Sequence, residues 1–282
     1  MKFLIIDGYP EKSRLQFDTV GMTLAGKLYE KMLFQHIPDA ETTILYASDD
    51  STLLPNLEVL KTFDGILWPG CNLTVYHDDD ERVQRMIEIV DLAFEAGIPQ
   101  FGSCWAAQIA VYVAGGKVAL NPKGREMGVA RKIYLTDTGK SHPMYEGKPP
   151  VFDGFISHDD EITVMPEGAT ILASNDFTSI QAVDVAYKNG SFWATQYHPE
   201  YDLIEMARLI VARADKLTSE GYFNSQDDMM NYINILETIA NEPNRKDLRW
   251  MAGIDDDLLK DNIRQLEFVN WLKFEMLNDK LY

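Results

Sequence analysis

Cysteine is scarce in this chain and positive charge is outnumbered. Cys71 and Cys104 are the two cysteines in 282 residues, too few for the stapled framework of a small secreted domain, so a reducing, cytoplasmic location is expected. Lysine and arginine total 26 against 44 aspartates and glutamates, for a formal net charge of -18. That balance argues against nucleic-acid or membrane partners, because a phosphate backbone and an anionic bilayer both recruit cations. No apolar stretch is long enough to span a bilayer, and the chain opens on a strand-like Lys2-Phe3-Leu4-Ile5-Ile6-Asp7 with no signal pattern. Internal repeats, low-complexity tracts and a Gly-x-x-x-x-Gly-Lys-Ser/Thr loop are missing, so an ATP-using synthetase is not expected here. Histidines are few. His77 beside Asp78, Asp79 and Asp80 reads as a solvated helix start, His36 as a helix end and His142-Pro143 as a loop; no metal site and no cofactor are predicted.

What is present is an ordinary globular core, 46% hydrophobic residues, patterned as alternating strands and helices. Phe3 to Ile6, Thr42 to Tyr46, Gly65 to Trp68 and Pro99 to Ser103 read as buried parallel strands. Between them, Thr19 to Gln35 carries helical periodicity, and a second helix starts at Asp78-Asp79-Asp80-Glu81, where Asp78 and Glu81 are spaced as a capping box, and runs to about Ala96. The alternation predicts an α/β fold, a mostly parallel central sheet with helices on both faces. After Gly116, short strands at Lys132–Thr136, Gly154–Ser157, Ile162–Met165, Ile171–Asn175, Gln181–Lys188 and Ser191–Gln196 predict a small antiparallel layer beside that sheet. A helix from Asp202 to about Thr218 closes the domain, assigned to residues 1–218. Residues 219–282 form an α-helical extension. Its last helix, capped at Asp255-Asp256-Asp257, carries an apolar stripe through Leu258, Leu259, Ile263, Leu266, Val269, Leu272 and Met276. That stripe suits either packing on the domain itself or a homodimer or partner surface.

The most informative segment is Gly102-Ser103-Cys104-Trp105-Ala106-Ala107-Gln108. A strand precedes it and an apolar helix follows, so Cys104 stands at the apex of a sharp turn at the carboxyl edge of the sheet. The helix aims its N-terminal dipole at the sulfur, and thiolate is the reactive form of cysteine. A lone cysteine is more often a small buried hydrophobe. Here, however, the strand Ser191–Gln196 ends in Tyr197-His198-Pro199-Glu200, which supplies a base in His198 and an acceptor for its other ring nitrogen in Glu200. An attacked carbonyl needs amide donors for its oxyanion. The Trp105 amide is one, and Trp68-Pro69-Gly70-Cys71, with Gly70 allowing close approach, offers the other.

With these segments the chain resembles the class I glutamine amidotransferase domains found in GMP synthetase and related enzymes. The family's Gly-x-Cys-x-Gly-x-Gln elbow and distal His-Pro-Glu correspond to 102–108 and 198–200, its oxyanion loop to Trp68-Pro69-Gly70-Cys71, and its Ser-His-Gly-Asp segment to Ser157-His158-Asp159-Asp160. The resemblance covers roughly residues 1 to 214 and implies a flavodoxin-like fold. It further implies that Cys104 attacks a γ-glutamyl amide to form a thioester, that His198 protonates the departing amine and then activates water, and that Glu200 orients His198. Amides of Gly70 and Trp105 would hold the oxyanion, while Gln108, His158 and Asp159 would line the substrate pocket.

Departures from the pattern sit around the site: Ala106 for glycine, Ala107 for a frequent histidine, Asp159 for glycine, Cys71 beside Gly70. They remove no catalytic atom and leave both glutamine and other γ-glutamyl amides open as substrates. Three functions remain: a stand-alone hydrolase of glutamine or a γ-glutamyl conjugate, a glutaminase subunit feeding ammonia to a separate synthase partner, and a catalytically silent binding or regulatory protein.

Overall fold

A computed structural model of the chain describes residues 1–277; the last five positions of the predicted extension, 278–282, lie outside the described residues. The strands are β1 (Lys2–Asp7), β2 (Glu41–Tyr46), β3 (Gly65–Trp68), β4 (Gln100–Ser103), β5 (Lys117–Leu120), β6 (Glu126–Leu135), β7 (Val151–His158), β8 (Asp160–Val164), β9 (Ala169–Ser174), β10 (Ala182–Tyr187) and β11 (Gly190–Thr195). Phe3, Ile5 and Ile6 in β1 are wholly buried, as an apolar run covered on both faces requires. A nine-stranded sheet runs β2-β1-β3-β4-β11-β10-β9-β6-β7. Its first five strands are parallel, with Leu67 of β3 opposite Phe101 of β4, and Phe101 opposite Trp193 of β11. That half has the doubly wound, flavodoxin-like order, which brings the loops after β1, β3, β4 and β11 to one carboxyl edge.

Most of the later strands extend that sheet, while one of them, β8, contributes to the expected small antiparallel layer. β10 folds back on β11 through Lys188 and Asn189, with Lys188 at φ 50°, as a two-residue hairpin demands. Hydrogen bonding then continues through β9, β6 and β7 of the same sheet, and the separate small antiparallel sheet is β5 with β8.

Helix limits moved where capping differed from periodicity. The helix read over 19–35 starts only at Ala25 and runs to His36, because a separate helix, Glu11–Val20, precedes it and is closed by Gly21 at φ 71°. The helix Glu81–Ala96 is capped by Asp80, whose side chain accepts from the Arg82 amide; Asp78 instead accepts from the Tyr112 hydroxyl at 2.5 Å. Asp202 caps Leu203–Ala212 as expected of a short acceptor side chain, but the helix breaks at Arg213 before Ala214–Ser219 resumes.

The C-terminal segment follows its helix Gln226–Asn241 with short turns, Asp256–Leu259, Asp261–Arg264, Leu266–Trp271 and Leu272–Leu277. Phe268, Trp271, Leu272 and Met276 of these turns are buried in one cluster with Phe3, Ile5 and Phe101 of the sheet, while Leu258 is buried in the other core cluster. Trp271 lies 6.4 Å from the Phe3 ring and 5.7 Å from Phe101, centre to centre. Of the stripe read from sequence, Leu258, Leu272 and Met276 are buried and Leu259, Ile263, Leu266 and Val269 half-buried, while Arg264 and Glu267 are turned inward as well. Counting apolar positions alone misses a helix that buries charge.

Candidate active site

β4 delivers the chain to Cys104 at φ 57°, ψ -108°, a conformation that costs a non-glycine residue energy and persists only when its surroundings hold it. The Cys104 amide donates to the Thr195 carbonyl of β11 at 2.7 Å, and the helix Trp105–Val113 begins at the next residue. The Trp105 amide is one of that helix's first-turn donors without an intrahelical acceptor. Gly102 explains how the elbow takes alanine at 106: a Cβ built on Gly102 would lie 2.4 Å from the Ala106 methyl and 2.5 Å from the Trp68 carbonyl. The Ala106 methyl fills the space that Gly102 leaves.

The loop after β11 brings His198 beside this elbow. His198 Nδ1 lies 2.7 Å from Glu200 Oε1, and both side chains are almost wholly buried. The same oxygen accepts from Ser103 Oγ at 2.9 Å, so the residue before Cys104 helps hold the carboxylate. Tyr201 stacks flat on the imidazole at 4.1 Å between ring centres. Burial works to strip His198 of its proton, but the Glu200 carboxylate and hydrogen bonding with Cys104 outweigh it and push the imidazole up to about 10. At neutral pH the ring therefore carries a proton.

Gly70, on the loop after β3, lies between the two. A Cβ there would sit 3.1 Å from Cys104 Cβ, 3.1 Å from His198 Cε1 and 3.6 Å from the sulfur. Gly70→Ala is expected to lower kcat/KM on the order of a hundredfold by wedging nucleophile from imidazole, with a melting temperature close to wild type. Equal losses of rate and stability would show that the glycine serves the fold instead.

A cavity of about 170 Å³ opens beside the sulfur, lined among others by Cys104, Gln108, His158, Asp159 and His198. Gln108 Nε2 donates to the Asp160 carbonyl at 3.0 Å and to Gln196 Oε1 at 3.3 Å, so its two N–H donors are used and its oxygen is the group left to accept. His158 is held at both nitrogens, by the Asp160 carbonyl at 2.8 Å and Glu126 Oε2 at 3.1 Å. It shapes the wall without a free polar atom to offer. Burial would raise the Glu126 carboxyl, yet His158, Asn175 and Thr178 together hold it below the usual range. Asp159 is paired with Arg125, and with Lys216 at 2.9 Å, so its charge is already matched within the protein.

Several neighbours were not singled out from sequence. Ser103 and Tyr201 flank residues that were, and adjacency was the available signal. Glu126, Arg125 and Arg213 carried none, because each reaches the site from a distant element. Cys71 also lines the cavity, but burial pushes its thiol well above the ordinary value. Among the described residues, no group of three or more His, Cys, Asp or Glu is placed to hold a metal ion, and no helix is long and apolar enough to cross a membrane.

Residues 25–214, more than half of the chain, match the family described as Glutamine amidotransferase class-I. Over 280 residues the chain is 32% identical to a gamma-glutamyl-L-1-hydroxyisopropylamide hydrolase of a Pseudomonas species, covering 96% of this chain and 92% of that one. It is 30% identical over 184 residues to the GMP synthase of Streptomyces avermitilis, covering 65% of this chain and 32% of the synthase, so it spans about a third of that enzyme. In fold it is similar to the crystal structure of a glutamine amidotransferase from Thermotoga maritima, with a TM-score of 0.66 over 98% of this chain and 97% of the other at 17% identity.

Proposed function

We infer that this chain, which belongs to the class I glutamine amidotransferase family, hydrolyses the γ-amide of glutamine or of a γ-glutamyl conjugate through a Cys104 thioester. The observation that carries this reading is the close approach of Gly70 to both Cys104 and His198, where even a Cβ would lie 3.1 Å from Cys104 Cβ and from His198 Cε1. In that reading, Cys104 Sγ attacks the γ-carbonyl carbon while the amides of Gly70 and Trp105 receive the oxyanion. The C–N bond then breaks and the amine leaves with the proton held by His198. Water next loses a proton to His198 and adds to the thioester, releasing the γ-carboxylate and the sulfur. Glu200 and Ser103 keep the ring in register. Gln108 Oε1 accepts from the substrate's α-ammonium, and Asp159 acts through Arg125 and Lys216. The nucleophile has to remain a free thiol, which suits a reducing, cytoplasmic setting.

The test is release of ammonia from L-glutamine, and of amine from γ-glutamyl alkylamides, by the purified chain alone. Cysteine-dependent turnover of either supports the reading. The 30% identity with a GMP synthase favours one second reading, delivery of ammonia to a separate synthase partner. It predicts near-silence alone and turnover with the partner present. No turnover in either setting would leave a binding role.

The charge on His198 sets a pH dependence. Glu200 helps to raise the imidazole from its ordinary 6.5 to about 10, so the stabilisation is fully present below about 6.5 and is lost as pH rises through about 10. Glu200→Gln should move the alkaline limb of the kcat/KM profile to lower pH and cut the neutral rate roughly a hundredfold. An unmoved limb would show that Glu200 does not govern this proton.

A further inference from the structure

The cavity's cations are not equivalent. Arg125 is tied to Asp159 and to Glu220, the latter at 3.1 Å, and Lys216 to the same Asp159 at 2.9 Å. Arg213 also lines the cavity, yet among the described residues its guanidinium has no carboxylate or hydrogen-bond partner recorded. Its recorded neighbour is the Phe17 ring at 5.8 Å. The break between helices Leu203–Ala212 and Ala214–Ser219 falls at this residue, and the side chain is half-buried. A half-buried arginine without an anion keeps its guanidinium free to bind one, and its planar fork is matched to a carboxylate.

The residues it shares the cavity with bear on which end of the substrate it meets. Gln108 and His158 are joined by hydrogen bonds to the Asp160 carbonyl. Tyr201, stacked on His198, and Tyr9, whose ring meets Phe17 edge-on at 4.9 Å, line the cavity with Arg213, whose charge acts on the hydroxyls of both tyrosines. In the hydrolase reading the departing amine takes its proton from His198, the ring on which Tyr201 stacks. We propose that Arg213 is a specificity residue that binds a carboxylate on the amine side of the scissile bond, so that the preferred substrates are γ-glutamyl amides of amino acids. The proposal rests on the hydrolase reading above.

L-γ-glutamylglycine and L-γ-glutamylethylamide test it, because they differ by a carboxylate in place of a methyl group on the amine side. The wild type is expected to favour the glycine amide in kcat/KM roughly ten- to a hundredfold, mainly through KM. Arg213→Gln should bring the ratio of the two close to one, and Arg213→Lys should restore part of it, with thermal melts of both variants checking the fold. A wild-type ratio near one overturns the assignment. So does a ratio that Arg213→Gln leaves unchanged because both substrates weaken equally, which would place Arg213 at the glutamyl end. Failure of the wild type to hydrolyse either compound overturns the underlying hydrolase reading, a result distinct from loss of preference.

Discussion

Replacing Cys104 by serine is expected to lower turnover of any γ-glutamyl amide by roughly four orders of magnitude or more, leaving the residual rate that binding and oxyanion donors sustain. The elbow's geometry makes serine a fair test of chemistry alone. The residue is held at φ 57° by the hydrogen bond its amide donates to the Thr195 carbonyl, and oxygen in place of sulfur disturbs neither. Serine loses because a hydroxyl has to be deprotonated during attack, whereas a thiol reaches its anionic, nucleophilic form near neutral pH. The ring that would accept that proton, His198, already holds one. The same experiment separates the two cysteines. An electrophilic glutamine analogue should add a single mass increment mapping to Cys104, and Cys71, whose buried thiol resists ionisation, should remain unmodified. Activity surviving in Cys104→Ser, or label on Cys71, would end the thioester mechanism.

The second large effect is expected far from the sulfur. Lys148 and Glu267 form an ion pair at 2.9 Å with side chains 2% and 0% exposed. Lys148 also donates to the Ile263 carbonyl at 2.8 Å, and Glu267 accepts from the Tyr197 hydroxyl, itself 2.8 Å from that of Tyr145. Tyr197 precedes His198 in the chain, and Arg264 Nε donates to the Pro199 carbonyl at 3.3 Å. The C-terminal segment thus grips both sides of His198. Removing one partner strands a buried charge, so Glu267→Ala should cost about 3–5 kcal/mol and lower the melting temperature by roughly 10 °C. Replacing both, Lys148→Met with Glu267→Leu, should be less damaging than the single change, since no unpaired charge remains. The double variant should still turn over more slowly, because Tyr197 loses its acceptor beside His198. A Glu267→Ala variant within about 0.5 kcal/mol of wild type would refute the clamp.

The sequence by itself determined the parallel half of the sheet and which residues gather at its edge. Phe3 to Ile6 and Gly65 to Trp68 are short apolar runs whose burial is a local property, and the elbow and His-Pro-Glu segment each keep their chemistry within a few consecutive residues. Local signals of that kind survive without knowledge of the fold. Tertiary structure decided the rest. Asp80 rather than Asp78 caps its helix because Tyr112 occupies Asp78. The C-terminal segment docks through Phe268 and Trp271 while burying Arg264 and Glu267, a face that apolar periodicity reads as solvent-exposed. Arg213 reaches the cavity because a helix breaks there, and Glu126 reaches His158 across a β6–β7 pairing. Each depends on polar groups brought together over long sequence separations, where pairing is set by desolvation and geometry and leaves no pattern along the chain.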